Sequence, residues 1–284
     1  MTHVQLQTVL ARVQRDLWLA TAAKAMLLLV AMACLFLPDG NDNPLVSINT
    51  LGLLTVCILW LALTLSSVKG GQAAHEVDAM LAGGDYDAAE AGLQKLLRRF
   101  SIYRGTKLMA CHKLAILVHT RQQFSQSVQI CRLLLTQRLG PLAIDSELLL
   151  ADALLMLGEP KGTHAHLSRL ARCHLNLSQQ LTLLPIRLGY ELRCGAPDAA
   201  LARLNTKIHL ISLMPPFEAA QSSALLAMAA RREGKPLLCK YLWTKARLYA
   251  DIERMTDRFP ELAALAALPT LDEDMDNHEK SSAV

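Results

Sequence analysis

Nine histidines and seven cysteines in 284 residues are enough to build a metal centre or a thiol nucleophile, so their spacing is the first thing to test. His112 and His119 stand seven apart, on one face of a helix, and His164 and His166 flank the start of another. Helical zinc sites use pairs four apart with a carboxylate close by, and neither pair has that spacing. Cys111, Cys131, Cys173, Cys194 and Cys239 are an odd set with no CxxC pair. They read as small apolar core residues of helices in a reducing compartment, with no disulfide framework and no metal site. The carboxylates Asp145, Glu147 and Asp152 share one helix without an evident catalytic partner. Nucleophile elbows, phosphate-binding glycine loops and HExxH are absent from the sequence. The chain therefore reads as a non-enzyme that needs no cofactor and no metal.

The elements that carry these residues begin with two apolar stretches. Residues 18–37 contain one charge, Lys24, and residues 45–68 contain none. About 20 apolar residues cross the hydrocarbon of a bilayer, so both are expected to be membrane spans. A cleaved signal peptide is the alternative for the first, but 1–17 is polar and no small-residue cleavage site follows. The connection 38–44 is a turn-forming string with two acids and no base. Arg12 and Arg15 precede the first span and Lys69 closes the second. Cations flanking spans stay on the cytoplasmic side, which predicts cytoplasmic termini and an external loop. Lys24 lies near the start of its span, so its stem can return the ammonium to the cytoplasmic interface.

Beyond Gly70 and Gly71, read as a membrane-exit linker, a pattern recurs at intervals of about 37 residues. A turn residue stands at Gly84, Gln122, Gly158, Gly195 and Gly234. An aromatic or proline follows two positions later, at Tyr86, Phe124, Pro160, Pro197 and Pro236. A small residue follows five positions after the turn, at Ala89, Ser127, Thr163, Ala200 and Cys239. Each unit reads as helix, tight turn, helix, with the small residue where the two helices cross. Leu93, Cys131, Leu167, Leu204 and Trp243 continue the inward stripe at helical spacing. Asp85 is placed to cap the helix that starts at Tyr86. Pro185 falls inside the first helix of the fourth unit, which is therefore expected to start late or to kink.

Gly84, Tyr86 and Ala89, followed by Leu93 and Leu96, resemble the tetratricopeptide repeat in residue type and offset. Leu188, Gly189 and Tyr190, upstream of Gly195 and Ala200, echo it again. The resemblance covers roughly residues 71–255, although the units exceed the standard repeat of about 34 residues. Together with the two apolar stretches it implies an all-α fold: an N-terminal transmembrane hairpin, then a TPR-like α-solenoid over 71–268 that ends in a capping helix from Asp257 to Leu268. An acidic tail, 269–284, is expected to be disordered. A solenoid of this kind offers a concave groove for protein partners. Its implied lining is His112, Ile116 and His119, then Asp152 and Met156, then Arg193, and finally Met228, Arg231 and Arg232. Three arginines at one end suit an acidic peptide or a terminal carboxylate; the alternative is that they only cap their own helices.

The function expected from this is a membrane-anchored scaffold for protein partners. The alternative is an accessory subunit or assembly factor of a larger membrane complex. Ala20, Thr21, Ala22, Ala23 and Ala25, with Ser47, Asn49, Thr50 and Gly52, would let the spans pack closely against others. Nucleic acid is not expected as a partner. The net charge of +4 is modest, no basic run exceeds two residues, and no base-reading pair recurs from unit to unit.

Overall fold

A computed structural model describes residues 3–36 and 48–266, and every regular element among them is helical. The expected external loop, the adjoining ends of the two spans, residues 267–268 and the acidic tail lie outside the described residues. Two compact units separate at Leu149, Met1–Leu149 and Leu150–Val284.

In the first unit, α1 runs unbroken over His3–Phe36. At 1.5 Å per residue its 34 residues reach about 51 Å, well beyond a hydrocarbon core of about 30 Å. The excess lies before the expected span and is not a free segment. Leu6, Val13 and Leu17 are buried there and Ala20 just inside the span, at spacings that put them on one helical face. The second helix, α2, covers Ile48–Ala82. It passes straight through Gly70 and Gly71, so the expected linker is helix, held at that point by packing on both sides. Ser67 before the glycines and Ala74 and Val77 after them are buried. Along the apolar halves the side chains face outward: Leu28 is 65% exposed, Phe36 76%, Leu51 61% and Ile58 60%. Both helices are long and apolar enough to cross a bilayer. They approach closely at Gly52, where a Cβ would come within 2.7 Å of Cys34 Sγ.

The recurring turns are all present. Gly84, Gln122, Gly158, Gly195 and Gly234 each adopt a left-handed backbone, with φ between 59° and 77°. In each case the residue two positions later is the first of a helix: α3 (Tyr86–Arg98), α5 (Phe124–Leu135), α7 (Pro160–Leu170), α9 (Pro197–Leu201) and α12 (Pro236–Arg247). Proline suits that position because its missing N–H is one the helix leaves unpaired anyway. The fifth-position residues Ala89, Ser127, Thr163 and Ala200 have no exposure and Cys239 has 3%. The helices that precede the last four turns are α4 (Arg104–Thr120), α6 (Leu142–Met156), α8 (Leu177–Arg193) and α11 (Pro216–Arg232). Asp85 caps α3 as expected, its Oδ1 accepting from the Ala88 amide at 3.1 Å. Of the inward stripe, Leu93, Cys131 and Trp243 are buried, while Leu167 and Leu204 are only half-buried.

In the second unit one helix does not start late and another stops early. Pro185 neither delays nor interrupts α8. The helix starts eight residues earlier under a capping box, in which Asn176 and Gln179 each bond the other's backbone amide, at 2.9 and 3.2 Å. That satisfied N-terminus and the burial of Leu184, Pro185 and Ile186 hold the helix through the lost hydrogen bond. Conversely, the helix expected from Pro197 through Leu204 stops at Leu201. Arg203 takes a left-handed turn (φ 52°), and a separate helix, α10 (Leu204–Ser212), follows it. Lys207 Nζ stabilises the break by donating to the carbonyls of Ala199 and Ala200, at 3.0 and 2.7 Å. The C-terminal cap is also not one helix: α13 (Ile252–Arg258), a 3-10 turn (Pro260–Leu262) and α14 (Ala263–Ala266) follow one another.

Candidate functional site

The residues expected to line a groove divide between the two units. In the first, His112 is buried rather than open, with Nδ1 3.1 Å from Ser146 Oγ. Burial holds its imidazole below the ordinary value; Asp145 opposes that shift and Lys113 adds to it. Ile116 is exposed, and His119 is half-buried edge-on to the Phe124 ring, 5.1 Å between centroids. The cysteine expectation holds for three thiols only. Cys111 and Cys131 are buried and pushed up to about 12, and Cys239 is buried, whereas Cys173 and Cys194 are exposed. His164 stacks on Tyr190, whose hydroxyl lies 3.0 Å from His164 Nδ1. Among the described residues no cluster of His, Cys, Asp and Glu is placed to hold a metal ion.

The second unit brings together Asp152, Arg193, Met228, Arg231 and Arg232, but around the chain's own C-terminal segment. Met255, Phe259, Leu262 and Leu265 from that segment are buried at 2% exposure or less. Phe259 lies against Gly189, where a Cβ would come within 2.9 Å of its ring. Arg193 stacks over that ring at 5.7 Å, pairs with Glu261 at 3.0 Å, and donates to the Leu155 carbonyl. Arg258 also lies over the ring, at 5.8 Å, and pairs with Asp152, itself only 6% exposed. Arg231 donates to the Ala264 carbonyl. Arg232 donates to the Leu192 carbonyl at 2.6 Å, which caps the end of α8.

The arginines that read as a carboxylate clamp are therefore engaged within the chain, one as a helix-end cap and two as holders of the C-terminal segment. Met228 is buried and Met156 half-buried. The cavity remaining beside Phe259, lined by Leu225, Met228 and Arg232, has a volume of about 10 Å³, room for no more than a water molecule. The sequence carried a signal for this filling: Met255, Phe259, Leu262 and Leu265 are spaced four, three and three apart, one apolar stripe.

A second constellation escaped the sequence reading altogether. Lys107, 2% exposed, donates to Asp16 Oδ2 at 3.0 Å and to the Leu97 carbonyl at 2.5 Å. Lys113 does the same for α2, donating to the Ala74 carbonyl and to Asp78 Oδ2, both at 2.7 Å. Lys24 has its ammonium over the Tyr103 ring at 5.6 Å, on an aromatic face of the same unit. These contacts tie both apolar helices to the hairpins of their unit. Compared with known proteins, the chain matches no family model, no curated protein and no solved structure.

Proposed function

We propose that the chain is a membrane-anchored helical-repeat scaffold of the tetratricopeptide-like kind, which organises protein partners at a membrane surface and carries out no catalysis. The observation that carries this reading is the five-fold recurrence of a left-handed turn, a helix start two residues on and a buried small residue five residues on. Hairpins repeated in this way are a means of presenting surface, and α1 and α2 supply the anchor. Cytoplasmic repeats follow from Arg12, Arg15 and Lys69 at the flanks of the spans. The burial of Leu6, Val13 and Leu17 in the same unit as α3 and α4 supports a common side for both ends of the anchor.

A second reading, an accessory subunit of a larger membrane complex, is favoured by the rigid tie of the apolar helices to the first unit. An anchor alone needs no buried Asp16–Lys107 pair. Replacing residues 21–36 and 50–66 with unrelated apolar sequence, followed by capture from gently solubilised membranes, separates the two. Retained partners support the scaffold, and loss of a stoichiometric set supports the subunit. Protease added to sealed, right-side-out vesicles tests the orientation: digestion of the repeats from outside would refute a cytoplasmic placement.

A further inference from the structure

The last repeated hairpin carries two apolar stripes on its second helix, and only one of them is used. Cys239, Leu242, Trp243 and Ala246 of α12 are buried. On the opposite side Leu237 is 83% exposed, Tyr241 51% and Leu248 75%, with Thr244 between them. At 100° per residue these four positions fall within an arc of about 60°. Lys240 and Arg247 border that arc on one side and Lys245 on the other, and no acidic residue occurs from Lys235 to Ala250. The corresponding positions of earlier second helices hold no large apolar side chain: Asp87, Ala91, Gln94 and Arg98 in α3, Ser125, Gln129 and Arg132 in α5, Lys161, Ala165 and Ser168 in α7. A terminal repeat ordinarily needs a polar outer face, so an apolar face at this position calls for a cover.

We propose that the outward face of α12 lies on the anionic headgroup layer of a lipid bilayer. This rests on the reading that α1 and α2 cross that bilayer. A leucine and tyrosine stripe flanked on both sides by cations is the composition of a helix lying in a membrane interface. Each cation near an anionic leaflet raises partitioning by about fivefold. A second copy of the chain is a poor cover, because a symmetric contact through this stripe sets Lys240, Lys245 and Arg247 against their own equivalents. The contact ends at Leu248, since Arg247 and Leu248 already border a cleft that they line together with Glu218 and Asp251.

The test uses the full chain in lipid nanodiscs, with a benzophenone photo-crosslinker placed at position 241, 29 or 161 in turn. Position 29 lies in the exposed apolar part of α1, and position 161 on the polar face of α7. Lipid adducts at 241 in phosphatidylserine discs are expected. They should fall several-fold in zwitterionic discs, at high salt, and with Lys240→Glu, Lys245→Glu and Arg247→Glu combined. Adducts at 29 with none at 241 above the level at 161 would overturn the proposal and leave the bilayer reading standing. Protein adducts at 241 in place of lipid would overturn it in favour of a partner chain. Absence of lipid adducts at both 29 and 241 would remove the bilayer reading itself, and this proposal with it.

Discussion

Gln122 occupies the left-handed turn position that glycine fills at 84, 158, 195 and 234, with φ 59°. A side chain there places Cβ against the following carbonyl, so Gln122→Gly should stabilise the chain by about 0.5–1 kcal/mol after glycine's own entropy cost. Thermal unfolding of the detergent-solubilised protein reads this as a rise in Tm. The reverse change, Gly84→Gln, should lower it. His112 makes a pH-dependent contribution whose sign follows from its burial. Burial, with Lys113, holds the folded imidazole below its ordinary 6.5, only partly opposed by Asp145. The unfolded chain then takes up the proton first as pH falls. The stability that His112 contributes is complete above about 6.5 and is lost as pH drops through the lower folded value. His112→Asn, which retains a hydrogen-bonding group for Ser146, should flatten unfolding midpoints across that acid window; an unchanged slope would show that another group titrates.

At the scale of elements, α1 is held to α4 through one buried ion pair. Removing one member leaves a charge without its partner in a nearly dry site, at a cost of about 3–5 kcal/mol. Asp16→Asn and Lys107→Met should each lower Tm sharply. The combined Asp16→Asn and Lys107→Met should cost less than the sum of the two, because no charge remains to be desolvated. A double variant as unstable as the sum of its singles would mean that the two side chains act independently. The C-terminal segment depends on a different device, the missing side chain of Gly189. A methyl there would sit 2.9 Å from the Phe259 ring and 3.1 Å from Leu155 Cδ2. Gly189→Ala is therefore expected to push Phe259 out. Amide exchange should rise across Ile252–Ala266, and trypsin should cut faster after Arg258. Preserved protection would mean that Arg193 and Arg258 hold the segment without the ring's seat.

For the whole molecule, legibility in the sequence followed the range of the interactions involved. Turns, helix starts and small crossing residues were readable because each depends on neighbours within five positions, and Gly84 through Cys239 report it directly. Apolar length likewise made α1 and α2 visible. What stayed hidden were pairings across long separations: Asp16 with Lys107, Arg258 with Asp152, and Arg193 with Glu261. A charged residue looks the same in sequence whether it lines a groove or is buried against a distant partner, and so the arginines suggested an open clamp. Gly70 and Gly71 misled for a related reason, since a glycine pair signals a joint only if nothing packs on its flanks. Here Ser67, Ala74 and Val77 are buried on either side, and Lys113 reaches the Ala74 carbonyl. The difference can be measured at Gly71, which is helical and has nothing within 4 Å of an added Cβ. In an unbroken helix, Gly71→Ala removes a backbone entropy cost of about 0.5–1 kcal/mol without a clash, so Tm should rise. In a flexible joint the same change would leave Tm where it was. Inserting one alanine after Gly71 presses the point further. It rotates everything beyond it by about 100°, carrying Ala74, Val77 and Asp78 off the face that meets α3 and α4. A joint absorbs that turn; a continuous α2 transmits it, and the first unit should unfold at a markedly lower temperature.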